Sequence, residues 1–225
     1  MLRRSAQPQR PASHDALLAW GVYRRIEPKQ RAVLWLMQHG AVTTARQTVH
    51  WRSDGDVLCP VCRLEAETLH HYFHGCVRVR EFWALVAAFL DRIQASPPAQ
   101  PSPVALKDVM AGLPLWSKTV PSMAVFHAAA VWQIYRAHTE ALLDNKVVPA
   151  LTMLGRWQGS MKLRIKFDLI SARKADKLDQ FEGHWAKTKC KWFAFEPGGG
   201  GVGCERLVFD PACYAPDPPP ADNDE

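Results

Sequence analysis

Between residues 59 and 76 the chain reads CPVCRLEAETLHHYFHGC, and this stretch limits what the fold around it can be. It gathers three of the six cysteines and three of the nine histidines. Two cysteines in a C-x2-C spacing, here Cys59 and Cys62, place both sulfurs on one ion through a tight turn. Zinc takes four such ligands, thiolate sulfur or imidazole nitrogen, in a tetrahedron. The other pair must come from downstream: Cys76 and one of His70, His71 or His74. On a helix, His74 points about 200° away from Cys76, because it lies only two positions before it. His70 and His71 both reach more easily, and helix geometry leaves the choice between them open.

A metal is favoured over disulfides by what surrounds the cluster. The N-terminal MLRRSAQPQRPAS is basic and lacks an apolar signal core, so the reading is an intracellular chain, nuclear or cytoplasmic, with reduced cysteines. No apolar run approaches the roughly 18 residues that span a membrane, and no membrane partner is expected. At 225 residues and 48% apolar composition the chain can bury a core without disulfides. Cys190, Cys204 and Cys213 flank a glycine loop without a histidine in knuckle spacing, and no second site is assigned to them.

The fold class expected is mostly α. Residues 1–12 read as a disordered basic arm and 13–94 as a helical zinc-binding module. Within it, helices are predicted over 13–27, from Lys29 to His39 ahead of Gly40, and from Thr43 or Thr44 to about Trp51. Phe82, Leu85, Val86, Phe89, Leu90 and Ile93 make a stripe of 3.6-residue period, predicting a helix over 77–93. Four prolines in ASPPAQPSP mark 95–104 as a linker. Residues 105–195 read as a basic helical segment, with one helix over 121–145 and another over 149–185, broken near Gly155–Ser160. Residues 196–225, rich in Gly, Pro and acid, are expected to be a disordered tail.

The formal charge of +6 is unevenly placed. Between Lys146 and Trp192 eleven basic residues face four acids, an excess larger than that of the whole chain. Such a balance suits a polyanionic partner.

CPVC followed by ETLHHYFHGC resembles the zinc-binding segment downstream of the polymerase in LINE-type, non-LTR retrotransposon reverse transcriptases. That pattern is C-x2-C, seven or eight residues, His, four residues, Cys. It often carries Glu-Thr before the histidine, aromatic or aliphatic residues after it and a Trp beyond the last cysteine. Here Cys59 and Cys62 precede eight residues, His71, four residues and Cys76, with Glu67, Thr68, Tyr72, Phe73 and Trp83 in the accompanying places. The resemblance covers roughly residues 29–93. It prefers His71 and implies the ligand set Cys59, Cys62, His71 and Cys76 holding one structural zinc. The chain has no Asp-Asp pair for polymerase metals, so descent from such an element implies a retrotransposon-derived C-terminal remnant or a short gene model, without polymerase activity.

Four protein ligands close a zinc's coordination, so the expectation is a non-enzymatic module. Glu67 reads as a first-turn acid on a helix beginning near Ala66, not as a catalytic acid. The expected partner is RNA or single-stranded DNA. Candidate phosphate contacts are Arg52, Arg63, Arg78, Arg80, Arg156, Lys162, Arg164, Lys166, Arg173, Lys174 and Lys177. Two other readings stand beside it: a zinc-stapled protein-interaction module using the Trp-rich helices, or a decayed retroelement fragment without a selected function.

Overall fold

A computed structural model describes residues 26–49, 56–93, 104, 109, 123–185, 192–197 and 205–214. The expected arm, residues 13–25 of the expected helix over 13–27 and the residues of the proline-rich linker up to 103 lie outside them, and Ile26 and Glu27 are not helical.

Helix α1, Pro28–Gln38, begins on its proline, whose missing N–H would be unpaired there anyway. It ends at Gly40, where φ is +62, a conformation glycine adopts at little cost. Helix α2 is a single turn, Ala45–Thr48, entered from Thr44, whose N–H donates to Gln47 Oε1 at 3.1 Å. A five-residue π turn, His71–Gly75, leads into α3, Val77–Ile93, whose span agrees with the apolar stripe. Val79, Phe82, Trp83, Val86, Phe89, Leu90 and Ile93 of α3 are buried.

The second half holds α4, Met123–Leu143, and α5, Ala150–Lys174. Helix α5 runs without a break through Gly155, Gly159 and Ser160, where an interruption was expected. Met153, Leu154, Trp157, Met161, Ile165 and Leu169 bury one continuous face, and that burial outweighs roughly 1 kcal/mol per helical glycine. The break comes instead at Ala175–Lys177, where Asp176 has φ +53, and α6, Leu178–Trp185, follows.

The C-terminal region departs from the expected disordered tail. Strands β1, Phe193–Pro197, and β2, Glu205–Phe209, pair antiparallel with Phe193 opposite Phe209, and a 3-10 turn, Pro211–Tyr214, closes the described region. Phe193, Phe195, Leu207 and Phe209 pack against the core, so alternating apolar residues inside a Gly/Pro-rich composition make the hairpin.

The halves on either side of residues 95–104 share one hydrophobic core, which runs from Ile26 to Cys213. Helix α1 packs on α4, α3 on α5, and the π turn on both α3 and α4. Trp157 joins them: its indole donates to the Phe126 carbonyl at 3.0 Å, and its ring meets Phe89 edge-on at 5.3 Å. The zinc-module sequence and the helical segment are therefore separate in sequence only. No helix among the described residues is long and apolar enough to cross a membrane.

Candidate metal centre

The site is built from a knuckle and a turn. Leu58 bridges antiparallel to Ala66, with Cys59 N–H donating to the Glu65 carbonyl and Glu67 N–H to the Val57 carbonyl, both at 2.8 Å. These bonds close a small loop with CPVC at its tip. The Arg63 N–H returns to the Cys59 carbonyl at 2.9 Å, and Arg63 takes φ +56 to make that turn. The N–H groups of Val61 and Cys62 point at the Cys59 sulfur. Such donors favour a thiolate over a thiol.

The π turn supplies the other pair. Thr68 starts it: its Oγ1 accepts the His71 N–H at 3.1 Å and its carbonyl the Tyr72 N–H at 2.8 Å. The His71 carbonyl then accepts the Cys76 N–H at 2.9 Å, an i to i+5 bond. In an α-helix, residues five apart lie about 140° from one another around the axis. The widened turn removes most of that angle and sets both side chains toward the knuckle. Trp83 donates its indole N–H to the Phe73 carbonyl at 2.9 Å and fixes the turn from α3.

The donor atoms of Cys59, Cys62, His71 and Cys76 all lie within 4.8 Å of one another. Cys62 Sγ and His71 Nε2 are 3.3 Å apart, against about 3.5 Å for sulfur and nitrogen bound to one tetrahedral zinc. Cys59 and Cys76 are hydrogen-bonded to each other, which raises Cys59 above the ordinary thiol range and lowers Cys76 below it. Cys76 also sits at the start of α3 and takes N–H groups from Val79 and Arg78, an environment made for a thiolate. His71 Nδ1 faces Glu65 Oε2 at 3.3 Å, the second contact that orients a metal-binding imidazole and turns Nε2 to the ion. Three sulfurs and one nitrogen, mutually close and mostly buried, suit zinc. When bound, zinc would supply a closed tetrahedral staple between knuckle and turn.

The other two histidines are elsewhere. His70 is exposed. His74 places Nε2 2.9 Å from the Val104 carbonyl, and the two rings are 5.7 Å apart.

Glu67 is not a first-turn acid of the ligand turn. It precedes that turn, and its Oε2 accepts the N–H of Ala45 at 2.6 Å, at the start of α2. The physical reason in the expectation holds, an acid at a helix N-terminus, but the helix is a different one. The adjacent Glu67 and Thr68 thus anchor two elements, one at Ala45 and one at His71.

Residues 4–83 match the family described as zinc-binding in reverse transcriptase. Over this stretch the chain is similar to that zinc-binding family. The match contains all four clustered donors and Trp83 and stops short of α4 and α5. No curated protein and no solved structure matches the chain.

A second group of metal-ligating atoms reaches beyond that stretch: Cys59, Glu67 and His138, all buried. His138 lies on α4, outside the matched residues. In sequence it is a lone histidine in an apolar helix, and nothing in its neighbourhood singles it out.

The basic candidates divide by environment. Arg52 lies outside the described residues. Arg156 is half-buried with both oxygens of Glu140 at 2.9 and 3.0 Å, and Arg164 bonds Asp168 at 2.9 Å. Arg63 pairs with Asp56 at 3.0 Å and Arg78 with Glu81 at 3.5 Å. Lys162 and Lys166 lie over the Phe209 ring at 5.6 and 5.9 Å. Arg80, Lys166, Arg173, Lys174 and Lys177 are exposed. Met161, Ile165 and Leu169 are buried, whereas Leu163, Phe167 and Ile170 are exposed at 58%, 63% and 49%. Their spacing puts them on the same outer face of α5 as Lys174, and Lys177 follows in the break after that helix.

Proposed function

We propose that the chain is a non-catalytic module in which one zinc ion, held by Cys59, Cys62, His71 and Cys76, fixes the fold, and that it binds RNA or single-stranded DNA through α5. The zinc part rests on the four converging donors inside the matched zinc-binding domain. Zinc would replace core that the loop 56–67 is too small to build.

The nucleic-acid part rests on one observation: the outer face of α5 alternates apolar and basic side chains. Leu163, Phe167 and Ile170 are exposed on the helix with Lys166 and Lys174, and exposed Lys177 follows just past its end. Single-stranded binders combine such elements, cations for the backbone and an aromatic ring for a base. Each phosphate contact releases counterions, so affinity falls steeply with salt. Replacing Lys166, Lys174 and Lys177 together by Ala should weaken binding of a single-stranded oligonucleotide at least tenfold and flatten its salt slope. Phe167→Ala should weaken binding without changing that slope. Salt-independent binding, or none, removes the reading.

The same apolar stripe supports a second reading, a surface for another protein, which is salt-insensitive by contrast. Of the tryptophans named for that role, Trp83, Trp157, Trp185 and Trp192 are buried, whereas Trp35 on α1 is 56% exposed. Reduced cysteines in the zinc set accord with an intracellular location.

A further inference from the structure

His138 carries the arrangement seen at His71. Its Nδ1 is 3.0 Å from the Ile134 carbonyl, and a carbonyl only accepts, so Nδ1 holds the ring's proton. The Nε2 lone pair is therefore left facing Cys59 Sγ at 3.8 Å and Glu67 Oε1 at 3.8 Å. Metal-binding histidines are commonly set in this way, by a carbonyl on the far nitrogen. The ring is also held flat against Tyr72, with centroids 3.8 Å apart and planes at 14°.

Glu67 is equally prepared. The Ala45 N–H takes one carboxylate oxygen and turns the other toward His138. Its side chain is 5% exposed and that of His138 2%. Sulfur and nitrogen on one tetrahedral ion stand about 3.5 Å apart and oxygen and nitrogen about 3.3 Å, so the two contacts of His138 need to close by about half an ångström at most, and the Cys59 and Glu67 donors lie within 4.8 Å of each other.

Charge points the same way. Three thiolates and the Glu67 carboxylate carry four negative charges into one buried region, and a single divalent ion cancels two of them. Buried charges are paired or coordinate metals.

We infer that Cys59, Glu67 and His138 form a second site for a thiophilic divalent cation, with the Cys59 thiolate bridging it to the four-donor site. This rests on the zinc reading above through the shared Cys59. It ties metal loading of the matched domain to α4, which lies outside that domain.

Cadmium NMR of the full chain, titrated with cadmium until no signal changes, reads the sites separately by the number of sulfurs on each ion. Two resonances are expected, one from a three-sulfur site and one upfield from a site with a single sulfur. His138→Phe, which keeps the ring against Tyr72, and Glu67→Gln should each remove only the upfield signal. One resonance in the unaltered chain, of high-sulfur character, overturns the inference and leaves the zinc reading standing. An upfield signal without a high-sulfur one supports the trio and overturns the zinc reading. Both signals persisting in His138→Phe also overturns the inference.

Discussion

The carbonyl of His71 accepts the backbone N–H of Cys76 at 2.9 Å, and this one π-type bond decides which histidine faces the knuckle. With His71 buried and 3.3 Å from Cys62, and His70 turned to solvent, the two neighbours are not interchangeable. His71→Ala should lose zinc and His70→Ala should keep it with affinity within about threefold, by competition with a chromophoric chelator. Loss of zinc from both variants, or from His70→Ala alone, contradicts the assignment.

Glu65 orients His71 from outside, although it is 68% exposed. Replacing such an outer partner costs roughly 10–100-fold in metal affinity, and exposure places this one at the low end. Glu65→Gln should weaken zinc about tenfold with the circular dichroism unchanged.

Trp83 fills core and holds the π turn at once, being 2% exposed with its N–H on the Phe73 carbonyl. Trp83→Phe leaves that carbonyl buried without its donor, a loss of about 1–3 kcal/mol, plus a cavity. Chemical denaturation should show destabilisation of at least that size, and zinc affinity should fall with it. A variant as stable as the parent would show that the bond does not hold the turn.

His127 on α4 is 2% exposed and donates Nε2–H to the Val109 carbonyl at 2.7 Å. Burial lowers it from 6.5 to about 4, against the weaker pull of that hydrogen bond. The unfolded chain therefore takes a proton that the native chain refuses. Its stability contribution is complete above about pH 6.5 and is lost as pH falls through 4. Between pH 7.5 and pH 5 this amounts to about 2 kcal/mol. Since thiolates also shed metal in acid, the readout is a difference: His127→Phe should lose about that much less than the unaltered chain over the same interval.

Much of the four-donor site was legible because ligand spacing is a local constraint. C-x2-C commits two sulfurs to one turn whatever the rest of the chain does. The α3 stripe was legible for a similar reason, since Phe82, Val86, Phe89 and Ile93 repeat at helical period. What stayed hidden depends on partners distant in sequence. Glu67 anchors Ala45, 22 residues away, and Cys59 meets His138 across 79 residues. The π turn has no periodicity of its own over five residues. The hairpin was masked by composition: Phe193 and Phe195 alternate correctly for a strand, but the glycines and prolines around them read as disorder. The continuity of α5 was missed because Gly155 and Gly159 were weighed without the buried faces of Trp157 and Met161.

The central claim concerns the first zinc ion and its donors. X-ray absorption at the zinc edge of the full chain, loaded with one equivalent, counts and ranges them directly. The account predicts three sulfurs at about 2.3 Å and one nitrogen at about 2.0 Å. A first shell with fewer than three sulfurs, or a chain that retains no zinc, would contradict it.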